Sequence, residues 1–506
     1  MEYKIIHISP VSVTIELENN EAYYSDKEYS ISIDGNFIRK EKRNIASVFD
    51  LEPDSEYEIS IDDAKKSFRT LAVKKVVNVK EMGVGNKDVK TNTKELQEIL
   101  DNSKDTLVVF DEGQYLTAPL SFRSDSFIYL KKGAELAGST NREDYPIIKA
   151  IGTKDGKEVV NASWEGSAED SFMSLVSVVD EKNIMFIGDG TINGNADKAD
   201  WWDDWRTKRG AWRPNNVFTN RADNIDFVGL NIINSPCWNL HPFYSDNIHF
   251  IDLYLHSKYT SPNTDGCDPE SCRNVDLLGT RICVGDDCVA IKSGKYQMTQ
   301  KFFRPCENIT IRNCYMGDGH GGVVFGSESS CGIKHVNVSQ CIFKNTDRGF
   351  RVKTKRGRGK DAVVEDVNFD NIRMDNVSTG LVVNMYYYLS SDPYDLFADN
   401  KEYTEADDYT PHIGSLTFKN MTIENTKVCA GYFYGLPESQ IDEIVLKNIK
   451  VTYNKEFNEY KNPAMIYDCE KLHNGGFYFY NVNSFVEENV DISGQEGPAF
   501  FTNSKK

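Results

Sequence analysis

The sequence carries a degenerate internal repeat in which an asparagine opens a short run of alternating apolar residues. The runs read Asn-Ile-Met-Phe, Asn-Ile-Asp-Phe, Asn-Ile-His-Phe, Asn-Val-Asp-Leu and Asn-Ile-Thr-Ile, and they begin at Asn183, Asn224, Asn247, Asn274 and Asn308. From the second run onward the successive intervals are 23, 27 and 34 residues. A period of about 20–50 residues is typical of solenoids, propellers and other repeat arrays.

The length and composition of the repeat select one of these architectures. Each repeat is too short for a four-stranded propeller blade, and its Ile, Val, Phe, Asn and Gly residues show little helical spacing. A parallel β-helix remains, in which each coil stacks on the previous one at roughly 4.8 Å. Residues one repeat apart in sequence are therefore expected to be neighbours in space.

Three carboxylates lie one repeat apart. Asp265 stands in an Asn-Thr-Asp-Gly segment, and Asp286 and Asp287 follow Gly285. Hydrolysis of a glycosidic bond needs one protonated and one ionised carboxyl, and close carboxylates push their proton affinities apart. Because side chains alternate along a regular strand, both Asp286 and Asp287 can face one cleft only at a bend, which Gly285 permits.

Two further motifs follow at spacings compatible with the same repeat. His320 lies in a Gly-His-Gly-Gly segment, and Arg351 and Lys353 alternate on a predicted strand. Taken alone, the histidine could belong to a turn and the two cations to a solvated strand face. Their order after the carboxylates favours a functional role.

The charge of the chain indicates the class of ligand. A net charge of −19 argues against binding to nucleic acid or to an anionic membrane. Between Arg348 and Lys360, however, the sequence contains seven cations and no acid. Arginine binds planar carboxylates through its fork of donors, so this run predicts a local site for uronate units.

Taken in order, the four motifs resemble those of the polygalacturonases, the pectin-cleaving members of glycoside hydrolase family 28, which are right-handed parallel β-helices. The resemblance extends over about residues 77–480. It implies that Asp286 is the general acid and that Asp265 and Asp287 activate the attacking water. Hydrolysis would then proceed with inversion of configuration.

The same resemblance implies roles for four other residues. His320 would hydrogen-bond to the acid pair, whereas Asn263, Arg351 and Lys353 would hold the substrate. The sequence predicts no cofactor, and no His/Cys spacing indicates a metal site. The expected partner is a galacturonate-containing oligosaccharide or polysaccharide.

We expect an all-β chain of two domains. Residues 1–73 read as a fibronectin type III-like β-sandwich, in which Tyr57 matches the tyrosine-corner segment, and residues 74–506 form the right-handed parallel β-helix. The sandwich is expected to act as a spacer or to pack on the first coil. A short helix from Asn92 to Leu100 is predicted to cap the open end of the solenoid.

Two aromatic inserts, over residues 201–212 and 386–409, favour a walled pocket and therefore exo action on α-1,4-linked galacturonic acid. The alternatives are a rhamnogalacturonan or xylogalacturonan hydrolase, a calcium-dependent pectate lyase, and a non-catalytic carbohydrate-binding β-helix. The last would not need all of Asp265, Asp286, Asp287 and His320.

Cysteine usage indicates the compartment. All eleven cysteines lie from Cys237 onward, in an odd number and without a compact disulfide pattern, which favours buried, reduced thiols. The printed N-terminus shows no secretory signal. A cytoplasmic location is expected, and secretion would apply if an export signal had been removed.

Overall fold

The computed structural model describes residues 1–85, 87–388 and 399–503. These residues form an N-terminal antiparallel sandwich and a long parallel β-helix, which confirms the all-β prediction and the parallel solenoid. Within this part of the chain, neither α-helix is long or apolar enough to cross a bilayer.

Seven strands in two sheets make the N-terminal sandwich. One sheet pairs three of them: Tyr3–Ile8, Val13–Leu17 and Ile45–Val48. The other pairs four: Tyr24–Ile33, Asn36–Arg43, Glu56–Ile61 and Ala64–Arg69. The backbone amide of Glu52 donates to the Tyr57 hydroxyl at 2.9 Å, which ties the turn to the following strand. The likeness to fibronectin type III modules stays a prediction.

The largest sheet of the β-helix contains 21 strands, paired in parallel from coil to coil. They are Lys75–Asn78, Thr106–Phe110, Gly113–Thr117, Ser126–Leu130, Ala134–Gly138, Lys182–Gly188, Thr191–Asn193, Asp223–Val228, Asn231–Ile233, Asp246–Ile251, Tyr254–His256, Arg273–Leu278, Arg281–Cys283, Cys306–Arg312, Tyr315–Gly317, Ile333–Lys344, Val363–Asp375, His412–Ile413, Ser415–Thr426, Ile441–Tyr453 and Val482–Ser493.

A second parallel stack, called the site ladder below, carries the functional residues. Its strands are Leu120–Ser121, Val176–Val179, Val217–Asn220, Leu240–Phe243, Val289–Ile291, Val323–Gly326, Arg348–Lys353, Thr379–Asn384, Cys429–Tyr434, Gly475–Tyr480 and Glu496–Thr502. Bridges at Cys267 and Glu270 join Leu240–Phe243 to the next coil, so the ladder is continuous. The apolar side chains of both stacks meet in one buried core.

The repeated asparagine has a structural cause. Asn183, Asn224, Asn247, Asn274 and Asn308 all adopt left-handed backbone conformations, which asparagine tolerates better than most residues. Their side chains also stack: Asn224 donates to Asn183 and Asn274 to Asn247 at 2.9 Å, and Asn308 donates to Asn274 at 3.1 Å. The repeat read from the sequence is therefore the turn that stacks one coil on the next.

Short elements cover the ends and one flank. The helix Val89–Asp101 covers the first coil, and its N-cap is Asp88 instead of the predicted Asn92, which is buried and bonds to Leu116 O. A second helix spans Tyr296–Thr299. An insert contains six strands, which are Ile147–Ile148, Ile151–Lys154, Lys157–Val160, Ser163–Trp164, Ser167–Ala168 and Ser171–Phe172, and 3-10 turns span Arg142–Asp144 and Ala196–Lys198.

The sandwich packs along several coils, not on the first coil alone. The Tyr129 hydroxyl on an early coil donates to Asp50 at 2.5 Å, and Ser47 N donates to Asp252 at 2.9 Å. Gln340, on a much later coil, donates to Asn19 O at 2.8 Å. The sandwich therefore lies along one flank of the solenoid.

One buried ion pair anchors this interface and supports a stability prediction. Arg312 donates to both carboxylate oxygens of Glu16, at 2.6 and 3.0 Å, and only 3% of the Glu16 side chain is exposed. Arg312→Met leaves the Glu16 carboxylate buried without its arginine partner. We expect the unfolding free energy to fall by about 2 kcal/mol, which is less than the ~3–5 kcal/mol for a fully buried pair because Arg312 is partly exposed. Denaturant unfolding measures it. The exposed pair of Arg373 and Glu21 gives the matched control, and Arg373→Met should cost below ~1 kcal/mol; equal costs would contradict the prediction.

Candidate active site

The structure brings the three predicted carboxylates together. Asp265 lies two residues before the bridge at Cys267, and Asp286 and Asp287 lie between the strands Arg281–Cys283 and Val289–Ile291 of the next coil. One oxygen of each carboxylate lies within 4.8 Å of the others. The repeat-length spacing in the sequence therefore corresponds to stacking of adjacent coils.

A bend at Gly285 and Asp286 places both aspartates on the same side, as expected. Glycine is required here because a Cβ at Gly285 would lie 2.4 Å from Ser261 O. A Cβ at Gly321 would lie 2.9 Å from the Asp287 carboxylate. The glycine after His320 thus lets the next coil approach the carboxylates closely.

His320 lies beside the most accessible of the three carboxylates. Its Nδ1 is 3.3 Å from Asp286 Oδ1, and its backbone amide donates to Asp286 O at 3.0 Å. The Asp286 side chain is 25% exposed, whereas that of Asp287 is 1% exposed. The hydrogen bond to Asp286 raises the pKa of His320 against the opposing effect of burial. Asp286 is therefore the carboxyl that a bound substrate can reach.

Lys353 and Arg351 neutralise Asp287. Lys353 Nζ lies 2.7 Å from Asp287 Oδ2, and an Arg351 nitrogen lies 3.8 Å from Oδ1. Burial alone would raise the pKa of Asp287, but the two cations outweigh it and lower the pKa to about 2. Asp287 is therefore ionised at neutral pH.

Asp265 has the opposite electrostatic environment. Burial, followed by the charges of Asp268 and Asp286, raises its pKa well above the usual range. The pKa values of the two neighbouring carboxyls therefore move in opposite directions, upward for Asp265 and downward for Asp287. Neighbouring carboxyls with different proton affinities, beside one that is accessible, are the groups that acid/base hydrolysis requires.

Sequence reasoning missed a second, fully buried cluster behind the three aspartates. Neither oxygen of Asp268 has a hydrogen-bond partner among the described residues, and burial raises its pKa to about 8. Lys292 Nζ lies 3.5 Å from Asp268 and 3.3 Å from Glu328. Asp268 stands one residue after the Gly266-Cys267 pair, so it could have been suspected from the sequence, whereas Glu328 lies in no motif.

Asn263 and Arg213 support the edge of the site. Asn263 is half-buried, and its side-chain oxygen accepts from Arg213 Nη2 at 2.6 Å. Arg213 also donates to Pro236 O and Pro262 O, at 2.7 and 3.0 Å. In this structure the predicted substrate ligand Asn263 therefore also holds the loop that precedes Asp265. Arg213 belongs to no motif and was not predicted.

The predicted basic run divides between structure and site. Arg356 is buried against Glu438, whereas Lys360 forms an exposed pair with Asp408 at 2.8 Å. Arg351 and Lys353 lie within about 6 Å of the Tyr387 ring, at 5.7 and 5.5 Å, which adds Tyr387 to the site. Of these four cations of the basic run, only Arg351 and Lys353 therefore lie at the candidate site.

Two chain segments border this site. On the N-terminal side, the hairpin 163–168 contacts the chain after the strand Val289–Ile291, where the Lys295 amide donates to Gly166 O at 2.8 Å. On the C-terminal side, Met465 Sδ accepts from Arg351 at 2.8 Å, and Met465 O accepts from Asn384 at 2.9 Å. A chain segment therefore contacts residues on each side of the carboxylate cluster.

The predicted aromatic inserts contribute in part. Trp201 is fully buried against Tyr145 and Phe172, as a packing residue. Trp212 stacks on Trp164 of the hairpin at 4.4 Å, so it holds that wall. Residues 389–398 of the second insert lie outside the described residues.

Comparison with known proteins agrees with this site. The family model described as glycosyl hydrolases family 28 matches residues 148–469. A probable polygalacturonase of Vitis vinifera is 28% identical over 366 residues, which is 72% of this chain and 70% of that protein. An endo-polygalacturonase of Pectobacterium carotovorum subsp. carotovorum is 28% identical over 381 residues, which is 72% of this chain and 85% of that protein.

Two solved structures share the fold. A family 28 exopolygalacturonase of Yersinia enterocolitica has a TM-score of 0.69 at 18% identity and covers 99% of this chain and 98% of its own. A hyperthermoactive exopolygalacturonase of Thermotoga maritima has a TM-score of 0.62 at 23% identity, over 85% of this chain and 91% of its own. Because the family model spans well over half of the sequence and includes the whole carboxylate cluster, the chain belongs to glycosyl hydrolase family 28.

Proposed function

We propose that the protein hydrolyses α-1,4-linked galacturonic acid units of pectin or oligogalacturonides. The observation that carries this proposal is the contact between the carboxylate cluster and two cations, Lys353 and Arg351. A neutral sugar would not need the cations, whereas a uronate unit brings a carboxylate that an arginine fork can hold.

The roles of the residues follow from their accessibility and charge. Asp286 is the exposed member of the cluster and donates the proton to the leaving oxygen, with His320 as its neighbour. Asp287 is ionised and accepts a proton from the attacking water, and Asp265, whose pKa burial raises, helps to position that water. The nearest oxygens lie within 4.8 Å, closer than the ~6.5–9.5 Å typical of inverting pairs. Inversion is therefore proposed on family membership, not on this spacing.

We further propose exo action. An endo-enzyme binds the middle of a polymer and needs a groove that is open at both ends. In this proposal the hairpin 163–168 and the segment around Met465, which border the site on its two sides, are the walls of a closed pocket. Only a chain end fits such a pocket. The second candidate function is hydrolysis of xylogalacturonan. The solved endo-xylogalacturonan hydrolase of Aspergillus tubingensis has the same fold, with a TM-score of 0.57.

The test uses de-esterified oligogalacturonides of defined length, with products separated by anion-exchange chromatography over time. Release of monomer or dimer alone from the earliest points is expected. A ladder of intermediate sizes would contradict exo action. Cleavage of xylogalacturonan fragments with no cleavage of the unbranched oligomers would favour the second candidate.

The thiols support a reducing compartment. All eleven cysteines are free, and nine of them are buried. Burial raises the pKa of the Cys267, Cys272 and Cys288 thiols well above the usual range, so these groups stay protonated and unreactive. We propose that the protein acts in the cytoplasm on imported oligomers. Fractionation of cells that produce the full-length protein tests this location.

A further inference from the structure

Arg348 is the first member of the basic run, and neither the carboxylate cluster nor an ion pair within the described residues accounts for its position. It opens the strand Arg348–Lys353, and its carbonyl oxygen accepts from the backbone amide of Gly322, two residues after His320, at 2.9 Å. It is half-buried. Its guanidinium donates to two backbone oxygens, Asp347 O at 2.9 Å and Asn462 O at 3.4 Å. Within the described residues no carboxylate forms an ion pair with it.

Arg351, three residues further on, is also poorly compensated. One of its nitrogens lies 3.8 Å from Asp287, which is beyond hydrogen-bond distance. Another donates to the thioether sulfur of Met465 at 2.8 Å, and a thioether is a weak acceptor. The two guanidiniums therefore donate their hydrogen bonds to carbonyl and sulfur atoms, and Asp287, at 3.8 Å from Arg351, is the one carboxylate paired with either of them among the described residues.

One short chain segment brings Arg348 and Arg351 together. Burial, followed by the like charge of Arg351, lowers the pKa of Arg348 to about 10. The segment 462–465 contacts both of them, through Asn462 O and Met465 Sδ, and so shields them from bulk water. A carboxylate that enters this space would gain two forked, charge-assisted contacts.

We propose that Arg348 is a second specificity-determining residue, which together with Arg351 forms a two-arginine subsite for the carboxylate of one galacturonate unit. The subsite lies on the C-terminal side of Asp286 and Asp287. This inference rests on the proposed function, because it identifies which part of a galacturonide substrate that pocket recognises. Arg348 binds substrate and takes no part in proton transfer.

The first test is the kinetics of Arg348→Gln on trigalacturonide. Loss of a charge-assisted contact should raise KM about 10- to 100-fold, while kcat changes by less than about threefold. Arg348→Lys keeps the positive charge but loses the forked pair of donors, so its KM should lie between those of wild type and Arg348→Gln. Lys360→Gln removes a cation from the same run, at an exposed pair with Asp408, and should leave KM unchanged.

A chemical variation of the substrate separates recognition from structural support. Three trigalacturonides, each methyl-esterified at a different unit, are compared on wild type and on Arg348→Gln. One of the three esters blocks the carboxylate that Arg348 holds, and for that ester the KM ratio of variant to wild type should fall to near one. For the other two esters the variant should show the same rise in KM, about 10- to 100-fold, as it does on the unesterified compound.

Other outcomes overturn the inference. An equal rise in KM on the unesterified compound and on all three esters would mean that Arg348 only supports the fold. A fall in kcat with an unchanged KM would mean that Arg348 acts through His320. An unchanged KM would remove it from the site. If wild type cleaves no galacturonide at all, it is the proposed function that fails; if wild type is active and the variant is normal, only this inference fails.

Discussion

Asp286→Asn is expected to lower kcat by about 10³-fold or more, with substrate binding nearly intact. Asp286 is the exposed carboxyl of the cluster, and it lies within 3.3 Å of His320. The amide keeps the shape of the side chain but cannot deliver a proton to the leaving oxygen, and general acid catalysis contributes about 10²–10⁴-fold to such reactions. Initial rates on trigalacturonide, with calorimetric binding of the same compound, measure both quantities.

The control for Asp286→Asn is Asp276→Asn, a substitution at a half-buried strand position of a neighbouring coil. That variant should keep wild-type kcat, because Asp276 lies outside the cluster. A kcat within about tenfold of wild type in Asp286→Asn would remove Asp286 from the role of general acid. The proton would then have to come from another group of the cluster.

Lys353→Met is expected to affect both stability and activity. The substitution leaves Asp287, which is 1% exposed, without its 2.7 Å partner. Breaking a buried pair from one side costs about 3–5 kcal/mol of unfolding free energy. Loss of the cation also raises the pKa of Asp287 from about 2, so the acid-side limb of the kcat/KM profile should move to higher pH.

The sign of the stability change with pH follows from the same pair. A depressed aspartate pKa stabilises the fold above the unfolded value of ~3.9, and that stability is lost as pH falls toward about 2. The difference between wild type and Lys353→Met should therefore narrow as the solution is acidified below about pH 4. Lys344→Met, at an exposed pair with Asp375, is the control, with an expected cost below ~1 kcal/mol. An unshifted acid limb in Lys353→Met would contradict the assigned role of the pair.

The sequence predicted the parts of this molecule that depend on stacking of neighbouring coils. Asn224, Asn247 and Asn274 mark the turns because only a few residue types tolerate left-handed backbone, and the same few can stack side-chain amides. Asp265 and Asp287 meet because their separation is one coil. A repeat spacing of one coil can therefore be recognised in a single amino-acid sequence.

Contacts between distant insertions were not predictable in the same way. The hairpin 163–168 reaches Lys295, and Asn462 and Met465 reach Arg348 and Arg351, across separations of more than a hundred residues. No periodicity encodes these pairings. The helix start was misplaced at Asn92 because a capping pattern was read there, whereas Asp88 caps and Asn92 is buried against Leu116 O.

The stereochemistry of the first product tests the central claim most directly. Proton NMR of trigalacturonide hydrolysis, recorded within minutes of adding enzyme, distinguishes the two anomers before they interconvert. Direct attack by water between Asp286 and the pair of Asp265 and Asp287 predicts that the β-anomer forms first from the α-linkage. The α-anomer as first product would contradict this claim, because it would require a covalent intermediate on one of these carboxylates. A vinylic proton signal would also contradict it, because an unsaturated product forms by elimination and not by hydrolysis.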